Sequence, residues 1–370
     1  MPQATPTLTP TTTPSPTLEE RQARYVDDLM SEMSLEDMVS QLFILQFDGD
    51  DGVSFTEASD ELTAFVKDKN VGGYVLLANH ITTRRQTRDM LNAVREASTY
   101  APFIAIDEEG GTVSRLASAG IDGYVRQPAA GSLGTDTDAA YAVGTTIGGV
   151  LRDIGVNVDF APVADVLTNP NNIVIGSRSY GSDPQLVGDM VSAMQRGLHD
   201  KGILTAPKHF PGHGGTAGDS HEGYVSIGAD AAQLAAVEYV PFIRAIEEGA
   251  QFIMIGHITA PNADNSGLPA SLSPYFLKDV LRGQLGYDGI LISDAMNMGA
   301  IVEQYSPQEA AVMAIEAGMD IILMPEDYQA AANGVLAAVE RGDLSEERID
   351  ESVRRILYTK VKTGVIPMAE

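Results

Sequence analysis

Short apolar runs and longer amphipathic stretches alternate along most of this chain. The runs are Leu42–Gln46, Gly73–Leu77, Phe103–Asp107, Val156–Val163, Ile203–Lys208, Phe252–His257, Gly289–Asp294 and Ile321–Pro325. Each is short and rich in β-branched or aromatic residues, which predicts a buried strand. Between them, stretches such as Ser59–Lys69, Thr83–Thr99, Ala139–Ile154, Pro184–Lys201, Ala231–Glu248 and Pro307–Ala317 repeat apolar residues at helical spacing. Ahead of the first run, Glu19–Met33 predicts a helix, and Ser34 with Asp37 forms a capping box for the next one. Strands alternating with helices imply a parallel sheet flanked by helices. Eight such units predict an α/β fold of the (β/α)8 barrel type, with a doubly wound open sheet as the competing architecture. Barrel sites gather at the C-terminal ends of the strands. Those ends carry Asp107, Asp165, Lys208 with His209, His257 and Asp294.

The N-terminal segment breaks the pattern. Residues 2–17 read PQATPTLTPTTTPSPT, a composition that buries no core and favours extended, solvated chain. The expected organisation is a disordered tether over residues 1–18 and one globular catalytic domain over residues 19–370. Tethers of this kind often join an export signal or lipid anchor to a folded domain. An exported or surface-tethered location is therefore expected, with the cytoplasm as the alternative.

Charge and composition narrow the partners. With 51 acidic against 24 basic residues the formal net charge is -27 at pH 7, which repels phosphate backbones and anionic bilayers. No nucleic-acid partner is expected. No apolar run approaches the roughly 20 residues of a membrane-spanning helix. The chain has no cysteine, which excludes disulfide scaffolds, zinc ribbons, iron–sulfur clusters and thiol nucleophiles. A monomer acting on a small molecule is the expectation.

Chemistry concentrates in four segments. Lys208-His209-Phe210-Pro211-Gly212-His213-Gly214 is followed by Asp219-Ser220-His221. His209 and His213 have the i, i+4 spacing of a zincin pair, but Pro211 and Gly212 oppose the helix such a pair needs. Phe210 also stands where the general-base Glu belongs. No metal is expected, and His213 is assigned to loop structure. In extended chain Asp219 and His221 project to one side, so the carboxylate can fix the imidazole tautomer and favour its protonated form. The second segment, Ile290-Leu291-Ile292-Ser293-Asp294, ends an apolar strand on an acid that can serve as a carboxylate nucleophile. The third, Ala105-Ile106-Asp107-Glu108-Glu109-Gly110-Gly111, places Asp107 at a strand end ahead of two glycines that allow close backbone approach to a ligand. The fourth, Ile175-Gly176-Ser177-Arg178-Ser179-Tyr180-Gly181, holds a loop arginine between glycines.

Together these segments resemble glycoside hydrolase family 3, and within it the single-domain β-N-acetylglucosaminidases that act on peptidoglycan fragments. The resemblance runs from Met33-Ser34-Leu35-Glu36-Asp37 to the last strand. It implies Asp294 as nucleophile, His221 as general acid/base and Asp219 as its partner. It also implies that Asp107, Arg115, Arg178, Lys208 and His209 hold the sugar hydroxyls. Arg115 and the role of Arg178 come from the resemblance alone. Thr112 departs from the pattern, standing where many members carry Arg. The implied reaction is retaining, exo-acting release of terminal β-linked N-acetylglucosamine from peptidoglycan- or chitin-derived saccharides, without a cofactor. The alternatives are another sugar specificity, a phosphorylase, a metal-dependent barrel hydrolase using His209, His213, Asp219 and His221, or a silent sugar-binding protein.

Overall fold

Each of the eight apolar runs contains a strand. They are β1 (Phe43–Gln46), β2 (Gly73–Leu76), β3 (Phe103–Ile106), β4 (Val158–Asp159), β5 (Leu204–Thr205), β6 (Phe252–Ile255), β7 (Ile290–Ser293) and β8 (Ile322–Leu323). The structure, a computed structural model, describes residues 16–216 and 225–368. Its architecture is an α/β domain on a curled parallel sheet. Six strands pair in the order β8-β1-β2-β3-β4-β5, and β6 pairs with β7 from Phe252 opposite Ile290 to Ile255 opposite Ser293. Isolated parallel bridges extend the pairing: Phe210 with Ile255, Ile292 with Ile321, and Val163 with Lys208. The strands are buried and mostly apolar because helices cover one face and packed side chains fill the other. Gly73 lies so close to β3 that a Cβ there would stand 2.6 Å from the Phe103 carbonyl oxygen.

The helices follow the amphipathic stretches, with one exception. Ala231–Glu248 is broken into Ala231–Ala236 and Tyr239–Glu247. Pro241 has no N–H to continue the first helix, so it occupies the opening turn of the second. The first helix runs Leu18–Ser31 with Thr17 as its cap, and the Ser34–Asp37 capping box is formed. Residues 1–15 of the tether lie outside the described residues. Among the described residues, no helix is long and apolar enough to cross a membrane.

The N-terminal end of the sheet is locked by one carboxylate. Asp320, just ahead of β8, is fully buried. Its Oδ2 accepts from Arg282 Nη2 at 2.7 Å and from the Leu291 N–H at 2.9 Å. Its Oδ1 accepts from Arg355 Nη1 at 2.7 Å and Ser352 Oγ at 2.6 Å. The Leu291 bond ties this cluster to β7, the strand that carries Asp294. Asp320→Ala strands the two arginines beside an empty site and is expected to cost about 3–5 kcal/mol of unfolding free energy. Urea denaturation measures it, and a loss below about 1 kcal/mol would show the cluster to be solvated rather than structural.

Candidate active site

The C-terminal end of the sheet encloses a cavity of about 410 Å3, within the roughly 300–1,000 Å3 range of small-molecule sites. Asp107, Arg115, Arg178, Lys208, His209 and Asp294 all line it. The structure thus brings together six of the eight residues singled out from the sequence. Asp219 and His221 lie outside the described residues.

Lys208 is the centre of the arrangement. It follows β5 and points its ammonium group into the sheet's mouth, where it is 2% exposed. Nζ donates to Asp107 Oδ1 at 2.6 Å and meets Glu109 Oε1 at 2.7 Å. Burial alone would lower its pKa, but the charges of Asp107 and Glu109 win and raise it. Glu109 also receives a two-pronged contact from Arg178, Nε to Oε2 at 2.9 Å and Nη2 to Oε1 at 2.8 Å. Burial opposes ionisation of this carboxyl, yet Lys208 and Arg178 hold its pKa down to about 2. Arg115 Nη2 reaches the other oxygen of Asp107 at 3.2 Å. Among the described residues, every arginine and lysine of the cavity therefore has a carboxylate partner. Thr112 is exposed on the hairpin turn, and Arg115 is the arginine that this segment delivers to the cavity.

Glu109 was not singled out from the sequence. The signal was present: it lies two residues beyond Asp107, beside the turn that Gly110 and Gly111 form. Those glycines serve a different purpose from the one expected. Both have positive φ, 84° and 58°, and a Cβ at either would collide with Pro128 or Ala129. The close approach is therefore to the chain's own backbone, and it folds the Glu108–Gly110 hairpin so that Glu109 faces Lys208.

Asp165 organises the histidine loop. It is fully buried, and its Oδ1 accepts the backbone N–H of His209 at 3.1 Å and of His213 at 2.7 Å. Its Oδ2 takes His209 Nδ1 at 2.8 Å. Burial would raise its pKa, but His209, His213 and these bonds lower it instead. The Nδ1–H tautomer leaves His209 Nε2 facing the cavity, 3.4 Å from Arg178 Nη2. Gly214 closes the loop, packed so tightly that a Cβ would lie 1.9 Å from the Val166 carbonyl oxygen. His213 does more than shape this loop, because its buried ring also lines the cavity.

Asp294 caps β7. Its N–H donates to the Ile255 carbonyl at 2.8 Å, and its Oδ1 accepts the Ala295 N–H at 2.8 Å. His257, buried at the end of β6, contributes from behind. Its Nε2–H donates to the Ala295 carbonyl at 3.0 Å, while Nδ1 pairs with Ser271 Oγ at 2.7 Å. Burial would raise the Asp294 pKa, but His209, His257, the Ala295 N–H and Lys208 outweigh it and lower it. The group is thus an ionised carboxylate of fixed orientation at the edge of a cavity. Among the described residues no group of three or more His, Asp or Glu is arranged to hold a metal ion.

The Asp165–His209 pair supplies a direct test of this geometry. Asp165→Asn keeps the shape, but the amide oxygen is needed by the two backbone N–H groups. The amide NH2 then faces His209 Nδ1 and forces the proton to Nε2, against the Arg178 guanidinium. Side-chain 15N spectra of the histidines should show Nδ1–H for His209 in the parent and Nε2–H in the variant. An unchanged tautomer would refute the assigned bond.

The chain matches the glycosyl hydrolase family 3 N-terminal domain over residues 34–359. It is 32% identical over 344 residues to a beta-hexosaminidase A of Pseudoalteromonas piscicida, covering 85% of this chain and 57% of that protein. It is 33% identical over 299 residues to a beta-hexosaminidase of Chromobacterium violaceum, covering 78% of this chain and 80% of that one. Its fold is similar to that of a family 3 beta-N-acetylglucosaminidase from a Paenibacillus species, with a TM-score of 0.84 and 36% identity. That match covers 91% of this chain and 64% of the other, so the chain spans less than two thirds of two of these relatives. The matched domain, the ring of paired charges around Lys208 and the carboxylate at the end of β7 together place this chain in glycosyl hydrolase family 3.

Proposed function

We propose that the protein is a retaining, exo-acting β-N-acetylglucosaminidase that releases terminal β-linked N-acetylglucosamine. The observation that carries this reading is Asp294, an ionised carboxylate held by Ala295 and facing the charged cavity. The beta-hexosaminidase relatives support the choice of sugar. The bridges beyond the paired strands support a finer fold as well, in which β1 to β8 close into one (β/α)8 barrel with the cavity at its C-terminal mouth. The Pro/Thr composition of the N-terminal segment supports a surface-tethered enzyme.

In this mechanism Asp107, Arg115, Arg178, Lys208 and His209 hold the sugar hydroxyls. Asp294 attacks the anomeric carbon and forms a covalent glycosyl-enzyme while the bond to the leaving oxygen breaks. His221, oriented by Asp219, protonates that oxygen and then takes a proton from the incoming water. Imidazole titrates near about 6.5 and needs little tuning for both steps. Because each described cation of the cavity is already paired, the site offers phosphate no ready partner, which supports water as acceptor.

Aryl β-glycosides of N-acetylglucosamine, glucose, xylose and N-acetylgalactosamine separate the sugar readings, and the N-acetylglucosaminide should be hydrolysed fastest. Asp294→Ala and Asp294→Asn should abolish nearly all turnover while leaving the thermal transition in place. Activity within about tenfold of the parent would overturn the nucleophile assignment. In kcat/KM, which reports formation of the glycosyl-enzyme, His221→Ala should lose little on substrates with good phenolate leaving groups and about 10²–10⁴-fold on sugar leaving groups. A uniform loss would remove His221 from the acid role.

The pH profile adds a signed expectation. The folded-state pKa of Asp294 is lowered, so the carboxylate stays ionised as pH falls through the usual carboxylate range. The acid limb of kcat/KM should therefore lie below the ordinary aspartate value of about 3.9, wherever the fold survives. Asp219→Asn removes the charge that keeps His221 protonated and should move the alkaline limb to lower pH. An acid limb above the aspartate range, or an unmoved alkaline limb, would contradict the respective assignment.

A further inference from the structure

Behind the histidine loop lies a carboxyl group that the proposed chemistry does not use. Glu238 stands at the junction of the helices Ala231–Ala236 and Tyr239–Glu247 and is 3% exposed. Its Oε2 is buried without a hydrogen-bond partner among the described residues. We propose that Glu238 is a positioning residue for the sugar site, whose neutral carboxyl supports the loop from Lys208 to Thr216 and whose ionisation displaces that loop and weakens sugar binding. The proposal goes beyond the glycosidase activity but rests on it for the role of His209.

Gly212, between His209 and His213, lies directly on this carboxyl. A Cβ there would stand 2.4 Å from Glu238 Oε2. The Gly212 N–H donates to the His209 carbonyl at 2.8 Å, which couples the contact to the histidine that faces the sugar. The same helix grips the loop a second time. Tyr239 stacks on Phe210 with ring centroids 5.1 Å apart, and Phe242 meets that ring edge-on at 5.2 Å. Close packing leaves the loop no slack, so a shift of the carboxyl is passed through Gly212 to His209.

The surroundings favour the neutral form. From the segment after β4, Thr168 bonds the carboxyl through its hydroxyl and Asp165 adds a negative charge. His209 and His213 are the titratable groups of the loop, and both give their backbone N–H to Asp165. Tyr239 is the titratable group of the helix turn. An ionised Glu238 would set a second negative charge beside Asp165 and leave a charged oxygen without a donor, which costs more than an unpaired hydroxyl. Burial, and then the charge of Asp165, push its pKa up to about 8 against the opposing Thr168 bond. The supporting form is therefore present at neutral pH and is lost as pH rises through about 8.

The test follows kcat/KM against pH, from about 6 to about 9.5, on a dinitrophenyl N-acetyl-β-glucosaminide, whose leaving group needs no acid and so hides the titration of His221. The parent should lose about tenfold between about pH 7 and about pH 9, because only the protonated fraction is competent to bind. Glu238→Gln keeps the shape without the charge and should flatten that limb to less than about twofold. Glu238→Ala leaves Gly212 unsupported and should lose about tenfold or more already at about pH 6. Thr168→Val removes the hydroxyl that favours the ionised form and should move the limb to higher pH, a readout that holds even if the Gln variant fails to fold. A flat parent profile, a limb that Glu238→Gln leaves in place, a limb that Thr168→Val fails to raise, or one that vanishes in His221→Ala would overturn the positioning role alone. Absence of hydrolysis by the parent at every pH would overturn the proposed activity and this inference with it.

Discussion

The site is organised around a single ammonium group taken out of water. Burying Lys208 costs several kcal/mol, and the cost is offset only because two carboxylates meet it from different strands. Asp107 comes from the end of β3 and Glu109 from the hairpin beyond it. Each carboxylate carries a second cation, Arg115 on one and Arg178 on the other. The chain of contacts runs from Arg115 through Asp107, Lys208, Glu109 and Arg178 to His209 and Asp165. It contains one more cationic side chain than the two carboxylates that directly contact Lys208. The adjoining nucleophile candidate, Asp294, completes the balance, and Lys208 is one of the groups that lower its pKa. Asp159, buried at the end of β4, has its pKa pushed well up by burial.

Much of this arrangement was legible in the sequence. Parallel strands buried on both faces must be written as short apolar runs, and all eight were. A polar residue at the end of such a run has few roles inside a closed core, so Asp107, Lys208, His209 and Asp294 stood out. Partnerships are a different matter. Glu109 and Arg178 lie 69 positions apart and Asp165 and His209 lie 44 apart, and no local pattern joins them. Arg115 sits in the opening turn of a short helix and carries no periodic signal at all. The paired glycines were legible as a tight turn, but which backbone they approach depends on the tertiary path of residues 127–129. The break before Pro241 was readable from proline chemistry, whereas the unbroken amphipathic pattern on either side concealed it.

Stability and chemistry occupy opposite ends of the same strands. Asp320 holds β7 from its N-terminal end through the Leu291 N–H. At the other end Ser293 Oγ accepts the Leu323 N–H at 3.0 Å, and the Asp294 N–H is fixed on Ile255. His257 then restrains the peptide that follows. Asp294 is thus fixed by contacts to strands on both sides and by the peptide ahead of it. The arrangement provides the preorganisation that covalent attack on a carbon centre requires. It depends on packed elements rather than on loops.

This electrostatic frame also bears on the identity of the acid. A retaining glycosidase with two carboxyl groups places them only about 5–5.5 Å apart, and their mutual repulsion raises one pKa at the other's expense. Here the cavity charges are already matched one for one among the described residues. A further carboxyl group would either leave an excess negative charge or compete with Asp294 for Lys208 and His209. Paired with Asp219, a protonated imidazole adds no net charge. It can therefore act beside Asp294 before attack without the excess negative charge that a second lone carboxylate would bring. On that argument the histidine acid proposed above is compatible with the charges already paired in the cavity.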